Sequence, residues 1–194
     1  MEYLQQALDF FLHLDVHLEA FIREYGAWTY ALLFVIIFAE TGLVFAPLLP
    51  GDSLLFAAGM LCGVTELNVV YVFVLLTVAA VLGDTVNYWI GKWFGAWILR
   101  HGRRFGIRQE YIDKTHTYFE KYGGKTIVIA RFVPIVRTFA PFVAGIGTMN
   151  YGRFLFYNIF GGVLWVAVCV LAGYFLGKQK FVKDNFELFV MLII

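Results

Sequence analysis

The sequence predicts an all-α polytopic membrane protein organised as an inverted repeat, and three observations predict it. Of 194 residues, 61% are hydrophobic and only 15% charged, with a mean hydropathy of +0.75, beyond the usual range of a soluble globular domain. Several apolar runs are long enough to cross or enter a bilayer, and two of them are interrupted by proline and glycine in the same order. The charged side chains are acidic only from Glu24 to Gly91 and basic only from Lys121 to Lys183. A formal net charge of +1 excludes a nucleic-acid binder, because there is no basic surplus to neutralise a phosphate backbone. Cys62 and Cys169 lie in apolar runs without metal-ligand spacing and read as buried free thiols. No metal or cofactor is expected: His13 and His17 share a helical face but have no third ligand.

Taken in order, residues 1–25 are expected to form an amphipathic helix at the membrane interface. The first 22 residues hold no Lys or Arg and carry Glu2, Asp9, Asp15 and Glu19, the reverse of a signal peptide. Leu14, Leu18, Phe21, Ile22 and Tyr25 then recur with helical spacing. Residues 30–63 contain Pro47, Pro50 and Gly51 and predict a first re-entrant hairpin. Residues 69–99 predict a transmembrane helix longer than a perpendicular crossing requires. Along it Gly83, Asn87, Gly91 and Gly95 recur every fourth residue, a strip that lets another helix approach closely. Asp84, beside that strip, fits an interhelical hydrogen bond better than a proton carrier.

Residues 100–125 hold seven Lys or Arg against three acids and are placed in the cytoplasm by the positive-inside rule. Residues 126–149, broken by Pro134 and Pro141, predict a second re-entrant hairpin, and residues 154–177 an uninterrupted span without ionisable side chains. Residues 186–194 read as the start of a further helix. The two broken segments hold all four prolines, each segment runs into small residues, and each precedes a long apolar helix. Matching Pro/Gly-broken segments in two halves are the sequence mark of a transporter-like repeat with its site at the breaks.

No Lys or Arg occurs from Glu24 to Gly91, where Glu40, Asp52 and Asp84 lie, and no Asp or Glu occurs from Lys121 to Lys183, where Arg131 and Arg137 lie. An ionised side chain at the bilayer centre costs about 2.5–3.5 kcal/mol even on the gentler insertion scale. Three solutions stay open: the acids are protonated, a wet cavity hydrates them, or the halves meet and Arg131 and Arg137 compensate Glu40 and Asp52. Two guanidiniums converging in a low-dielectric cavity favour a phosphate, and a carboxylate beside it can load and release a proton. Ser53, with Asp52 and the arginines, is a possible accessory group and leaves a lipid phosphatase as an alternative.

These segments resemble the DedA family, whose fold is also called the VTT or SNARE-associated domain. The resemblance rests on E-T-G followed by P-x-x-P-G-D (Glu40 to Asp52), G-D-x-x-N-Y-x-x-G (Gly83 to Gly91), and the run from Gly123 to Gly145. It implies a multi-pass protein of the bacterial inner membrane with two re-entrant hairpins facing each other from opposite sides. It also implies movement of lipids between leaflets, undecaprenyl phosphate or a phospholipid, with dependence on the proton gradient. The family's functional acids match Glu40 and Asp52, and its functional arginines match Arg131 and Arg137. The expected function is therefore a proton-dependent lipid transporter of flippase or scramblase type, not an enzyme, with lipids and protons as partners. A small-ion/proton antiporter is the alternative from another class, and the glycine strips would also suit a homo-oligomer.

Overall fold

The computed structural model describes residues 22, 24–43, 51–101, 117, 119–147 and 149–176. Most of the expected interfacial helix (1–25), Pro47 and Pro50, most of the basic 100–125 loop, and the 186–194 run lie outside the described residues. Every regular element among the described residues is helical: α1 (Trp28–Gly42), α2 (Gly51–Cys62), α3 (Val69–His101), α4 (Thr126–Ala130), α5 (Pro134–Ile146) and α6 (Tyr151–Leu176). The first broken segment is thus two helices, α1 and α2, and the second is the pair α4 and α5.

Both long helices begin on an asparagine. The Asn68 side-chain oxygen accepts from the N–H groups of Val70 and Tyr71 (2.9 and 3.3 Å), and the Asn150 oxygen accepts from those of Gly152 and Arg153 (2.9 and 3.4 Å). Each cap satisfies donors that a helix start leaves without intrahelical partners. The Asn150 cap is why α6 begins three residues before the expected 154. Val69–Phe94 and Tyr151–Leu176, 26 residues each, are long and apolar enough to cross a membrane, since each spans about 39 Å against a hydrocarbon core of about 30 Å.

Their surfaces are arranged inside out. On α3, Val70, Val74, Val78, Leu82 and Val86 form an exposed apolar stripe at every fourth position, while Ala79, Ala80, Gly83, Asp84, Asn87 and Gly91 are buried. On α6, Phe156, Phe160, Val163, Leu171 and Phe175 are exposed, while Asn158, Gly161, Gly162 and Gly173 are buried. Small and polar residues are drawn to the protein side, and the outward faces carry large apolar residues, as lipid rather than water would require.

The described chain forms two compact units. The first is drawn from Met1–Ile36, Pro50–Leu76 and Val166–Ile194, the second from Ile37–Leu49 and Thr77–Trp165. In the first unit α2 is buried on nearly every side, with only Asp52 half-buried. It lies against α6 so closely that a Cβ added at Gly59 would collide with the Val170 carbonyl, and one at Gly173 with the Phe56 carbonyl. In the second unit α5 lies against α3 in the same way, with Gly91 over the Phe142 carbonyl and Gly145 over that of Tyr88. In both crossings each glycine stands three residues after the carbonyl that its partner glycine meets.

Leucine at Gly145 or Gly91 therefore forces the α3–α5 crossing apart. Overpacking of this kind costs about 1–3 kcal/mol, so Gly145→Leu is expected to melt clearly below the wild type in detergent. Leucine at the exposed Val163 is expected to leave the melting temperature unchanged.

Candidate functional site

The second unit acquires its site at the break between α4 and α5. Pro134 has no N–H and crowds the residue before it, so Val133 is driven to extended backbone (φ −122°, ψ 103°) and the helix cannot run through. The end of α4 tightens instead, with Phe132 N–H donating to the Ile129 carbonyl (3.1 Å) and Val133 N–H to that of Ala130 (2.9 Å). Helix resumes at Pro134, where the missing N–H is harmless. Pro141 was expected to break the hairpin as well, but it sits inside α5 and the helix continues to Ile146. It removes only the bond that the Arg137 carbonyl would have accepted, while close packing against α3 holds the helix in place.

The elbow places Arg131 at the end of α4 and Arg137 as the fourth residue of α5. Arg137 is ion-paired with Glu40 in the last turn of α1, and Arg131 with Asp84 in the middle of α3. Glu40, Asp84 and Arg131 are 5–6% exposed and Arg137 is half-buried, so the Arg131–Asp84 pair is buried and the Arg137–Glu40 pair partly so. The compensation expected from Glu40 and Asp52 is thus supplied at Arg131 by Asp84, an interhelical partner. Asp52 is half-buried in the first turn of α2, in the first unit. Ser53 beside it is fully buried, and its hydroxyl has no hydrogen-bond partner among the described residues. Gly51 is the buried first residue of α2.

Helix ends make the Glu40–Arg137 pair mutually dependent. A carboxylate in the last turn of α1 faces that helix's negative end, and a guanidinium near the start of α5 faces a positive one. Each charge is opposed by its own helix and offset by the other. Asn87 ties the same two segments to α3, its amide nitrogen donating to the carbonyls of Thr41 (3.2 Å) and Thr138 (2.9 Å).

Two site residues escape a reading of the sequence as an ordinary apolar span. Asn158 accepts from Arg131 through its oxygen and donates to the Val81 carbonyl through its nitrogen (3.0 Å), linking the guanidinium to the α3 backbone. Trp165 lies under both guanidinium groups, 5.7 Å from Arg131 Cζ and 5.1 Å from Arg137 Cζ. Gly161 makes room for the Arg131 side chain, since a Cβ there would press on Arg131 Cδ at 3.2 Å, and Gly162 makes room for Val81, whose Cγ2 would lie 3.1 Å from a Cβ. Asn158, Gly161, Gly162 and Trp165 fall at i, i+3, i+4 and i+7, one face of α6. That spacing was the available signal.

Glu40, Thr41, Asp84, Arg131, Arg137, Thr138 and Trp165 enclose a cavity of about 20 Å³, room for about one water molecule. No group of three His, Cys, Asp or Glu among the described residues could hold a metal ion. The arrangement offers two cations, each paired with a carboxylate, and one aromatic ring beside both.

Comparison with known proteins decides the family. The VTT domain matches residues 49–175. Protein DedA of Escherichia coli (strain K12) is 52% identical over 196 residues, covering 100% of this chain and 90% of the relative. The chain belongs to the DedA family. Inner membrane protein YqjA of Escherichia coli (strain K12) is 39% identical over 166 residues, 85% of this chain and 76% of YqjA. An uncharacterized membrane protein of Mycobacterium leprae (strain TN) is 42% identical over 160 residues, 82% of this chain and 72% of that protein. No solved structure matches. With its apolar helices and these relatives, this DedA-family chain is a membrane protein.

Removing one member of a buried ion pair strands the other, at a cost of about 3–5 kcal/mol. Arg131→Gln is expected to lower the melting temperature in detergent sharply, and adding Asp84→Asn in the same chain is expected to recover much of the loss. Asn87→Ala deletes two hydrogen bonds and is expected to cost a smaller 1–3 kcal/mol, roughly, in the same assay.

Proposed function

We propose that this DedA-family protein is a proton-dependent lipid transporter that carries a phosphate-bearing headgroup between leaflets while the tail stays in lipid. The cargo is undecaprenyl phosphate or a phospholipid, and the protein lies as a multi-pass chain in a bacterial inner membrane. The observation that carries this reading is the pairing of Arg131 and Arg137 with Asp84 and Glu40 around one small cavity. Guanidiniums that hold carboxylates can hold a phosphate with the same donors. A carboxylate that gives up its arginine in a low-dielectric site takes a proton instead. The buried charge then stays balanced while cargo replaces the acids.

The inverted repeat is part of the proposal. At 15, 12 and 13 residues, α1, α2 and α5 are about 18–22 Å long, too short to cross a core of about 30 Å. Short helices joined by breaks suit re-entrant hairpins whose irregular backbone is covered by protein. Matching asparagine caps and paired glycines in corresponding positions support a repeat of hairpin followed by long helix. A transporter is preferred to an enzyme because the described wall of the cavity offers no histidine or cysteine, leaving its carboxylates, already held by arginine, as the strongest nucleophiles.

The test is headgroup exposure in proteoliposomes holding a phosphate-bearing lipid, with and without an imposed pH gradient. Wild type is expected to translocate the lipid faster with the gradient. Arg131→Ala with Arg137→Ala is expected to abolish translocation, and equal rates in wild type and double mutant would falsify the proposal. Glu40→Gln, a permanent mimic of the protonated acid, is expected to keep some translocation and lose its response to the gradient. Cation-dependent proton flux without lipid would instead favour the antiporter, and release of inorganic phosphate the phosphatase.

A further inference from the structure

We infer that Trp165 is the positioning residue of this site: its indole keeps the Arg131 and Arg137 guanidiniums together and aimed at one phosphate after Asp84 and Glu40 have let them go. The inference rests on the phosphate-lipid reading above and adds to it a residue that no motif marks.

Both guanidinium carbons lie within 6 Å of the Trp165 ring centroid, the range in which a cation is drawn to the face of an aromatic ring. Trp165 is 2% exposed, whereas Trp28, Trp93 and Trp97 are 72, 69 and 53% exposed and Trp89 is half-buried. The exposed tryptophans suit the interfacial belts that anchor membrane proteins; a buried one lining a charged cavity does not. In the closed site two carboxylates balance two cations. When the acids leave, the guanidiniums repel each other, and long arginine stems would swing toward water.

An indole opposes that movement without entering the exchange. It carries no charge and does not titrate, so it competes neither with the proton for the acids nor with phosphate for the arginines. Attraction to a ring face uses the cation's charge and leaves its N–H groups available, so both guanidiniums can still present donors to phosphate oxygens. Asn158, one face-repeat earlier on α6, restrains Arg131 from the same helix. α6 therefore acts as the fixed backing of a two-arginine clamp.

The test compares Trp165→Phe with Trp165→Leu in the full chain, two side chains of similar size of which only one keeps a π face. Binding of a short prenyl phosphate to purified protein in detergent is measured by calorimetry, beside a melting curve. Phenylalanine is expected to bind within about threefold of wild type and leucine at least tenfold more weakly, with similar melting temperatures for the two variants. Equal binding by the two overturns the inference. A second measurement covers a leucine variant that does not fold: with Trp28, Trp89, Trp93 and Trp97 all changed to Phe, saturating prenyl phosphate is expected to shift the Trp165 emission, and an unresponsive emission overturns the inference. Wild type that binds the probe and does not translocate it removes the transport reading and leaves the clamp standing. Wild type that binds no probe overturns both.

Discussion

A guanidinium buried in apolar surroundings must have a partner at all times, and the described architecture of the second unit follows from supplying two of them. Neither Arg131 nor Arg137 has an acid nearby in sequence, since the chain from Lys121 to Lys183 contains none. Their partners have to come from α1 and α3, across 97 and 47 residues. The fold therefore has to bring the end of α1, the middle of α3, the α4–α5 elbow and one face of α6 to the same point. Removing the acid on α1 or on α3 leaves a guanidinium without compensation, which is among the most unfavourable things a protein interior can hold.

Holding those elements in register needs rigid helix contacts, and in lipid the hydrophobic effect does not supply them, because a lipid tail is as apolar as leucine. Paired glycines do. At the α3–α5 crossing, Gly91 and Gly145 remove the side chains that would separate the helices, so backbone meets backbone and dispersion contacts accumulate over the whole crossing. Asn87, one turn from Gly91, then bonds carbonyls from both broken segments. The helix that supplies Asp84 is thus the helix that fixes where both arginines stand. In the first unit the Gly59–Gly173 crossing performs the same mechanical task around Asp52 and Ser53.

Much of this was legible in the sequence, and the limits have physical causes. The helical class, the two long apolar helices and the break at Pro134 follow from composition, run length and proline, because bilayer thickness and the missing proline N–H act locally. The acids and arginines stood out because charge inside an apolar run demands an explanation. Which acid serves which arginine was not legible: pairing is decided by helix packing, and Asp84 lies beside the glycine strip that sets the packing, whereas Asp52 was favoured only by its motif. Pro141 misled because a proline is a sure loss of one hydrogen bond but only a conditional breaker; tight packing can carry the helix past it. Trp165 and Asn158 were missed because neither is ionisable. In an apolar span, a polar or aromatic residue on the same face as a Gly-Gly pair is the sign to look for.

In the proposed lipid transport, the cavity size argues for exchange over a standing channel. A space of about 20 Å³ accepts a water and excludes a phosphate. Entry of a headgroup therefore requires the walls to part, and the walls are the ion pairs themselves. In the proposed cycle, parting them without replacement would strand both carboxylates and both guanidiniums, so opening, proton uptake by the acids and phosphate capture by the arginines would be favourable only together. On that proposal a monoanionic headgroup would take the place of one carboxylate and a dianionic one of both, so that the protons taken up would match the charge of the cargo. The same coupling would keep such a path closed to protons alone, because an acid that is protonated with no anion present leaves its arginine uncompensated.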